Sequence, residues 1–305
     1  MPPVLKAEGE RMAAALLRDL TGEAVVVLRD ARLGGIEGLD RWRHRMIVVD
    51  GEDVWPRALR EVDAVWPIAP ESAGVLARYS TQVLQAGKVL LGASPEAVAA
   101  CGDKLHTVAA LDAAGVSCVP SWPRAEFRHQ VPPPWVVKPV DGVGCDGVTT
   151  VNAVACLPEG GDWIVQPYVA GEPLSLSAVF DRGEAVCVSV NRQRIVAADG
   201  GLRLLGCEVN VAEPDERWQR LCRRIAAAFP GLWGYVGIDL IQTRRGPLVV
   251  EINPRLTLSY AGLRSALGES LAAWIVAMAS EDRTLGALWT WRRRIGRGKT
   301  VWVAA

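Results

Sequence analysis

The sequence predicts a fold in two parts, an α/β domain with a parallel sheet at the N-terminus and a longer α+β region after it. Up to about residue 93, short apolar runs alternate with helical stretches, which is typical of parallel strands joined by helices. From Ser94 onward, several apolar runs follow one another across short turns, which predicts antiparallel strands. The change in pattern places a boundary between the two parts near residue 93.

In the first part, residues 8–20 place Met12, Leu16, Leu17 and Leu20 at helical spacing, so we expect a helix there. A second helical stretch covers residues 71–86. Buried strands are expected at the apolar runs 24–28, 46–49, 64–68 and 90–92.

In the second part, Ser94 and Pro95 have the residue types of an N-cap and a first helical position. Helices are expected at 103–114, 215–229 and 260–280. Strands are expected at 135–138, 162–166, 174–179, 185–190, 235–241 and 247–252. The basic and then apolar tail 291–305 has no assigned role. We expect three units, an N-terminal domain at 1–93, a central subdomain at 94–165 and a C-terminal subdomain at 166–305.

The composition excludes several classes of protein. The 305 residues contain 34 basic and 34 acidic side chains, so the net charge gives no global attraction to nucleic acid or to a membrane. Half of the chain is apolar, yet no uninterrupted run is long enough to span a bilayer. The seven cysteines form no CxxC pair, and the start lacks the pattern of a signal peptide. We therefore expect a cytoplasmic protein with free thiols.

Two acids and an amide near the C-terminal end form a candidate metal site. Asp239 and Glu251 lie on strands joined by a short turn, and Asn253 is on the same face as Glu251 by the strand period of two. Carboxylate and amide oxygens suit Mg²⁺ or Mn²⁺. A hairpin with solvated acids is the alternative, but Glu251 follows an apolar run, where an unpaired carboxylate is costly. Arg255 adds a cation beside this set.

A lysine and a glycine-rich loop form a candidate phosphate site. Lys138 ends an apolar strand, and Gly142, Gly144 and Gly147 follow it. Glycines let backbone N–H groups approach phosphate oxygens. The loop is neither a Walker A loop nor a dinucleotide fingerprint, and a flexible hairpin tip with a surface lysine explains it equally well.

Two further segments carry weaker signals. Pro167 interrupts the strand that ends at Gln166, which leaves main-chain groups near Tyr168 and Val169 to meet an adenine edge. An ordinary connection between strands explains this segment at least as well. Lys104, at a helix start, can reach phosphates across a cleft, although a solvated helix lysine is the simpler interpretation.

The order of these elements resembles the ATP-grasp superfamily, over about residues 90–260. The resemblance implies an ATP-grasp fold in which a parallel α/β domain precedes a nucleotide cleft between two α+β subdomains. It implies ATP and Mg²⁺ or Mn²⁺ as cofactors. The metal ligands would be Asp239, Glu251 and Asn253, with Arg255 and Lys138 in catalysis. The implied ATP-binding residues are Lys104, Lys138, Gly142, Gly144, Gly147, Gln166, Tyr168, Val169 and Glu172, the last beside the ribose.

A narrower resemblance connects the chain to the tyramine–glutamate ligases of methanofuran biosynthesis. It is carried by Glu8-Gly9-x-x-Met12, Ala69-Pro70-Glu71-Ser72, Asp103-Lys104 and Asn191-Arg192-Gln193-x-Ile195. It implies that ATP activates glutamate as an acylphosphate and that tyramine or, for a methylofuran, tyrosine attacks it. Glu71, Ser72 and Arg192 become substrate-site candidates. Glu71 could equally begin a helix, where an acid suits the helix dipole. Cys145 departs from the small residue usual in the family loop.

Other functions stay open at this point. They are another ATP-grasp ligase, for example of the D-Ala-D-Ala or carbamoyl-phosphate type, and a nucleotide-binding module without turnover. The complete set of metal-site residues together with Arg255 argues against the module. We expect small-molecule partners only, no nucleic acid and no membrane, and the sequence allows a homodimer without fixing the oligomeric state.

Overall fold

The computed structural model describes residues 3–36, 44–51, 53–145, 147–198 and 201–305, with the backbone alone for residues 3 and 4. Its α-helices are α1 (Pro3–Asp19), α2 (Val54–Arg60), α3 (Val75–Gln85), α4 (Pro95–Gly102), α5 (Lys104–Ala113), α6 (Glu216–Ala228), α7 (Tyr260–Leu267), α8 (Leu271–Ala279) and α9 (Leu285–Ile295). No α-helix of the described ranges is both long enough and apolar enough to cross a membrane.

The strands form one large sheet and two small ones. The strands are β1 (Val25–Asp30), β2 (His44–Val49), β3 (Ala64–Val65), β4 (Val89–Leu90), β5 (Trp122–Pro123), β6 (Trp135–Pro139), β7 (Thr149–Val151), β8 (Trp163–Pro167), β9 (Glu172–Asp181), β10 (Glu184–Ala198), β11 (Gly201–Ala212), β12 (Gly234–Thr243), β13 (Gly246–Asn253) and β14 (Val301–Ala304).

The N-terminal strands pair in parallel, as their alternation with helices predicts. They do so in two separate pairs, β1 with β2 and β3 with β4. The strand expected at 64–68 is only two residues long, since Pro67 has no N–H to give to a neighbouring strand. The helix expected from residue 71 becomes an α-helix only at Val75, because Ala73 and Gly74 have left-handed backbones that a continuous helix excludes.

The second part is built on a ten-stranded sheet with the order β13-β12-β9-β10-β11-β7-β6-β8-β5, with β14 paired to β11. Helices cover both of its faces. Trp218, Cys222 and Ile225 of α6 belong to the core on one face. Met12 of α1 and Trp274 of α8 belong to the core on the other. The predicted α+β architecture is confirmed, and Lys138 of β6 and Glu251 of β13 line one small space although five strands separate β6 from β13 in the sheet.

The tail that has no role in the sequence prediction is part of the fold. Helix α9 packs on the sheet, and β14 adds a strand to β11. The Arg292 side chain is fully buried and donates to the carbonyl oxygens of Val188 and Gly296, each at 2.5 Å, and to Asn210 Oδ1 at 3.2 Å. The tail therefore completes the sheet and its packing.

Candidate active site

Asp239 and Glu251 lie directly opposite each other on β12 and β13. The turn pairs Thr243 with Gly246, and regular counting from there would place Asp239 opposite Val250. A β-bulge shifts the register by one residue between Asp239 and Leu240. Because a one-residue shift moves a side chain to the other face, the bulge puts Glu251 on the same face as Asp239.

Two amides hold the Asp239 carboxylate in place. Asn253 donates from Nδ2 to Asp239 Oδ2 at 3.2 Å, and Gln193 donates from Nε2 to Oδ1 at 3.0 Å. The structure therefore brings together the three residues predicted to bind a metal ion, and it adds Gln193. That glutamine belongs to the motif 191–195, but its spacing alone gives it no role.

The electrostatics of this group favour a cation. Burial, and then the charge of Glu251, raise the pKa of the Asp239 carboxyl to about 7. A divalent ion between the two acids would remove that repulsion, and their oxygens suit Mg²⁺ or Mn²⁺. Within the described ranges, no group of three or more His, Cys, Asp or Glu side chains is placed to hold a metal ion. The remaining ligands of an ion here would be water or phosphate oxygens.

Two buried lysines face these acids. Burial, and then the neighbouring charge of Lys104, lower the pKa of the Lys138 ammonium to about 8, although Glu251 opposes the shift. Lys104 Nζ lies 3.8 Å from Glu251 Oε1. Lys104 also donates to the carbonyl oxygen of Gly142 at 2.5 Å and to that of Val140 at 3.3 Å. It therefore holds the glycine loop down in this structure.

The glycine loop closes tightly over the lysines. The space between it, the lysines and Glu251 has a volume of only about 20 Å³, room for about one water molecule. A triphosphate therefore needs the loop to move. The loop is fastened at its start, where Asp141 Oδ2 accepts from the Ala73 N–H at 2.9 Å. Gly144 and Gly147 both have a positive φ.

Cys145 adopts a left-handed backbone within this loop, with a φ of 62°. Such a φ favours glycine, which agrees with the small residue usual at this position in the family that the sequence resembles. Burial, and then the charges of Asp239 and Glu251, raise the pKa of its thiol to about 12. The thiol is therefore protonated at neutral pH and is a poor nucleophile.

The residues predicted to line the adenine site, Gln166, Tyr168 and Val169, lie on β8 and just after it. Gln166 is buried, and its Nε2 donates to Ser121 Oγ at 2.7 Å. Tyr168 is half exposed, and its N–H donates to the carbonyl oxygen of Pro134 at 2.9 Å. Val169 is partly buried. The side chain of Gln166 and the N–H of Tyr168 are thus already engaged with the protein.

Glu172 and Arg192 form an ion-pair network on the surface of the sheet. Arg192 Nε lies 2.5 Å from Glu172 Oε1, and its Nη1 lies 2.8 Å from Glu208 Oε2. Arg194 joins the same Glu208 carboxylate. Since successive residues of a strand point to opposite faces, Arg192 points away from the face on which Gln193 reaches Asp239. The structure does not bring Arg192 to the acids.

Arg255 connects the acids to the N-terminal domain. Its Nε donates to Glu71 Oε2 at 2.8 Å, its Nη1 to the carbonyl oxygen of Leu256 at 3.1 Å, and its Nη2 to Asn253 Oδ1 at 3.4 Å. Glu71 does not cap the short 3-10 helix that follows it. Ser72 is half-buried at the start of that helix. Glu71 thus stands at the N-cap position of that helix without a capping hydrogen bond, and its carboxylate binds Arg255.

Comparisons with known proteins agree with this arrangement. Residues 101–259 match the ATP-grasp domain, and residues 24–98 match the pre ATP-grasp 3 domain. The tyramine–L-glutamate ligase of Methanocaldococcus jannaschii is 28% identical over 224 residues, which span 72% of this chain but 64% of that protein. The probable alpha-L-glutamate ligase of Xylella fastidiosa is 29% identical over 274 residues, 82% of this chain and 89% of that protein.

Solved structures show the same fold. An ATP-grasp superfamily protein from Archaeoglobus fulgidus has a TM-score of 0.62 at 21% identity, covering 84% of this chain and 88% of its own. An L-amino acid ligase from Bacillus licheniformis has a TM-score of 0.68 at 15% identity, and the match covers 89% of this chain and 72% of the ligase. The predicted fold and the predicted resemblance to tyramine–glutamate ligases are thus confirmed. Because the ATP-grasp domain covers just over half of the sequence, the chain belongs to the ATP-grasp family.

Proposed function

We propose that this protein is an ATP-dependent ligase that activates the carboxylate of an amino acid and joins it to an amine. The observation that carries the proposal is the convergence of Asp239, Glu251 and Asn253 with Lys138 and Arg255. A group of two acids, two buried lysines and an arginine under a closing loop suits phosphoryl transfer to a carboxylate.

The acids and the amide fit a divalent cation. Asp239, Glu251 and Asn253 would hold Mg²⁺ or Mn²⁺, which when bound would neutralise the phosphates of ATP. The Lys138 ammonium adds a fixed positive charge beside them. Lys104 becomes available to the phosphates when the loop opens and its two carbonyl contacts break.

The reaction then has two steps. A carboxylate oxygen of the acid attacks the γ-phosphorus of ATP, and ADP leaves. The amine nitrogen attacks the resulting acylphosphate carbon, and phosphate leaves as the amide forms. Arg255, held by Glu71, would stabilise the oxyanion of the second step. The glycine loop closes over the acylphosphate and limits its hydrolysis by water.

We infer that glutamate is the acid and that tyramine, or tyrosine, is the amine. The support is the names of the relatives. Two are named tyramine–L-glutamate ligases, and another is named a probable alpha-L-glutamate ligase. This choice would place the reaction in the synthesis of a methanofuran- or methylofuran-type cofactor. Of the arginines proposed for the substrate, Arg255 suits a carboxylate or acylphosphate better, because Arg192 is already paired with two acids.

The assignment of residues to regions is part of the same proposal. Residues 1–93 would supply the substrate side of the cleft through Glu71 and Ser72. Residues 94–165 would supply the lysines and the closing loop, and residues 166–305 the metal site. Gln166, Tyr168 and Val169 would line the adenine pocket, with Glu172 near the ribose, after exchanging their present contacts for nucleotide.

A matrix of acids and amines tests the substrates. The purified chain is incubated with ATP, Mg²⁺ or Mn²⁺, one amino acid and one amine, and ADP and amide are measured by mass spectrometry. We expect ATP-dependent glutamyl-tyramine or glutamyl-tyrosine, and none with Glu251→Gln. D-alanyl-D-alanine without any glutamyl amide would contradict the substrates but not ligation. ATP binding without ADP release in any combination would contradict ligation itself.

A further inference from the structure

Helix α1 brings a further acid, Glu8, to the active site. A Cβ at Gly144 would lie 2.6 Å from Leu5 Cδ2 and 3.7 Å from Glu8 Oε2. The first turns of the helix therefore touch the glycine loop, and the next ones, with Met12 and Leu16, are buried in the core behind it. The helix thus forms a wall of the site, with Glu8 at the loop.

Glu8 and Glu71 each leave a carboxylate oxygen unsatisfied beside the same arginine. The Oε1 atoms of both are buried and lack a hydrogen-bond partner among the described residues. The Glu71 side chain is only 5% exposed, and its other oxygen holds Arg255. Arg255 also acts electrostatically on Glu8. Arg255 therefore forms its ion pair with Glu71 and is only a nearby charge for Glu8, and burial raises the pKa of the Glu8 carboxyl in spite of it.

Buried acceptors without donors are unfavourable. The place beside the Oε1 atoms of Glu8 and Glu71 therefore favours a ligand that carries a positive charge and N–H groups. An ammonium group has both. The place also lies between the loop that covers the phosphoryl group and the arginine assigned to the oxyanion. On the proposed mechanism, the carbon that the amine attacks would lie beside it.

We propose that Glu8, with Glu71, binds the ammonium group of the incoming amine and that Glu8 takes its proton. This inference rests on the proposed function. The amine arrives as RNH₃⁺ and gives one proton to the Glu8 carboxylate. The neutral nitrogen attacks the acylphosphate carbon, the C–N bond forms, and the C–O bond to phosphate breaks. The second proton of the nitrogen leaves with the phosphate as HPO₄²⁻, so atoms and charge balance.

Hydroxylamine separates this role from the activation of the acid. It is a nucleophile that is largely uncharged at neutral pH, so it needs neither ammonium binding nor deprotonation beforehand. The full-length enzyme and Glu8→Gln are compared with ATP, glutamate and either tyramine or hydroxylamine, measuring amide and hydroxamate. Glu23→Gln, an exposed acid just beyond α1, is the matched control.

We expect Glu8→Gln to lower kcat/KM for tyramine by about 100-fold, the lower range for loss of a general base, while hydroxamate formation stays at the parent rate. Glu8→Asp, which keeps the charge, should recover part of the amide activity. An equal loss of both products would overturn the proposal, because Glu8 would then serve the acid or the fold. Unchanged amide formation would overturn it as well. A parent enzyme that makes neither product from any acid contradicts the proposed function first.

Discussion

At the scale of single residues, the site consists of charges that are unfavourable for folding without a ligand. Asp239 and Glu251 face each other half-buried, and Glu251 and two buried lysines line a space with room for about one water molecule. Such an arrangement is typical of functional sites, where binding and not stability explains the residue types.

The metal site gives the first prediction. Asp239→Asn and Glu251→Gln should each lower ATP turnover by about 100-fold or more. In other proteins, mutating a residue that only orients a metal ligand lowers metal affinity or activity by about 10- to 100-fold. These variants lose the charge of a ligand itself. Asp239→Asn should not lower the thermal midpoint of the nucleotide-free protein, because it removes like-charge repulsion, whereas Glu251→Gln also loses the ion pair with Lys104. Turnover is measured as ADP release at saturating Mg²⁺ or Mn²⁺. Near-normal release in either variant would show that the acids bind no essential metal, and Glu281→Gln on the surface is the control.

Lys138 gives the second prediction. Lys138→Ala should weaken the binding of a non-hydrolysable ATP analogue by about tenfold, because one charge facing the phosphates is lost. Lys104→Ala should have a smaller effect on affinity, since that lysine also restrains the loop in the closed form. Calorimetric titration measures both, with the exposed Lys299→Ala as control. Unchanged affinity and unchanged turnover in both would mean that neither lysine contacts phosphate.

The sequence could predict most residues of the site because their chemistry is local to each motif. It could not predict that Asp239 and Glu251 share a face, since that depends on a bulge that regular strand spacing does not contain. It also gave Glu8 no role. Helical spacing assigns Glu8 only to α1, and the fold decides that this helix lies against the loop.

At the scale of elements, the glycine loop is the part that must move. Its closed form depends on Lys104, on Asp141 and on the contact between Gly144 and Leu5. A side chain at Gly144 would disturb this form twice, by its positive φ and by collision with α1.

We therefore expect Gly144→Ala to uncouple the two reaction steps. The parent should release about one ADP per amide, whereas the variant should release several, since a displaced loop admits water to the acylphosphate. Gly160→Ala is the matched control, because Gly160 has a similar φ of 68° with nothing within 4 Å. A parent-like ratio of ADP to amide in Gly144→Ala would show that the tight loop contact is not needed.

The C-terminal tail gives a prediction about stability. Arg292→Met should lower the free energy of unfolding by about 2 kcal/mol, because three acceptors, two of them in buried hydrogen bonds, lose a charged donor. The loss is moderate because the variant also removes a buried charge. Urea denaturation measures it against Arg294→Met, an exposed neighbour on the same helix. Equal midpoints for the two variants would show that the tail adds little to the sheet.

At the scale of the whole molecule, motifs from opposite ends of the large sheet meet at one site. Strands β6 and β8 lie toward one end of its order and β12 and β13 at the other, with β9, β10, β11 and β7 between them. Strand β11 is absent from the sequence prediction because Gly206 and charged residues interrupt its apolar pattern. Strand β14 is absent because its partner is about a hundred residues away in the chain. The hairpins β9–β10 and β12–β13 were predictable, whereas the hairpin β10–β11 and the long-range pairing of β14 were not.

The central claim is that the acid is activated by phosphoryl transfer before the amine attacks. The most direct test uses an acid that supports amide formation, labelled with ¹⁸O in its carboxylates, with ATP and the amine. Mass spectrometry then measures the phosphate that is released. The account predicts that each phosphate carries one ¹⁸O atom from the acid and that the amide has lost one. Unlabelled phosphate released together with amide would contradict the acylphosphate and the mechanism built on it.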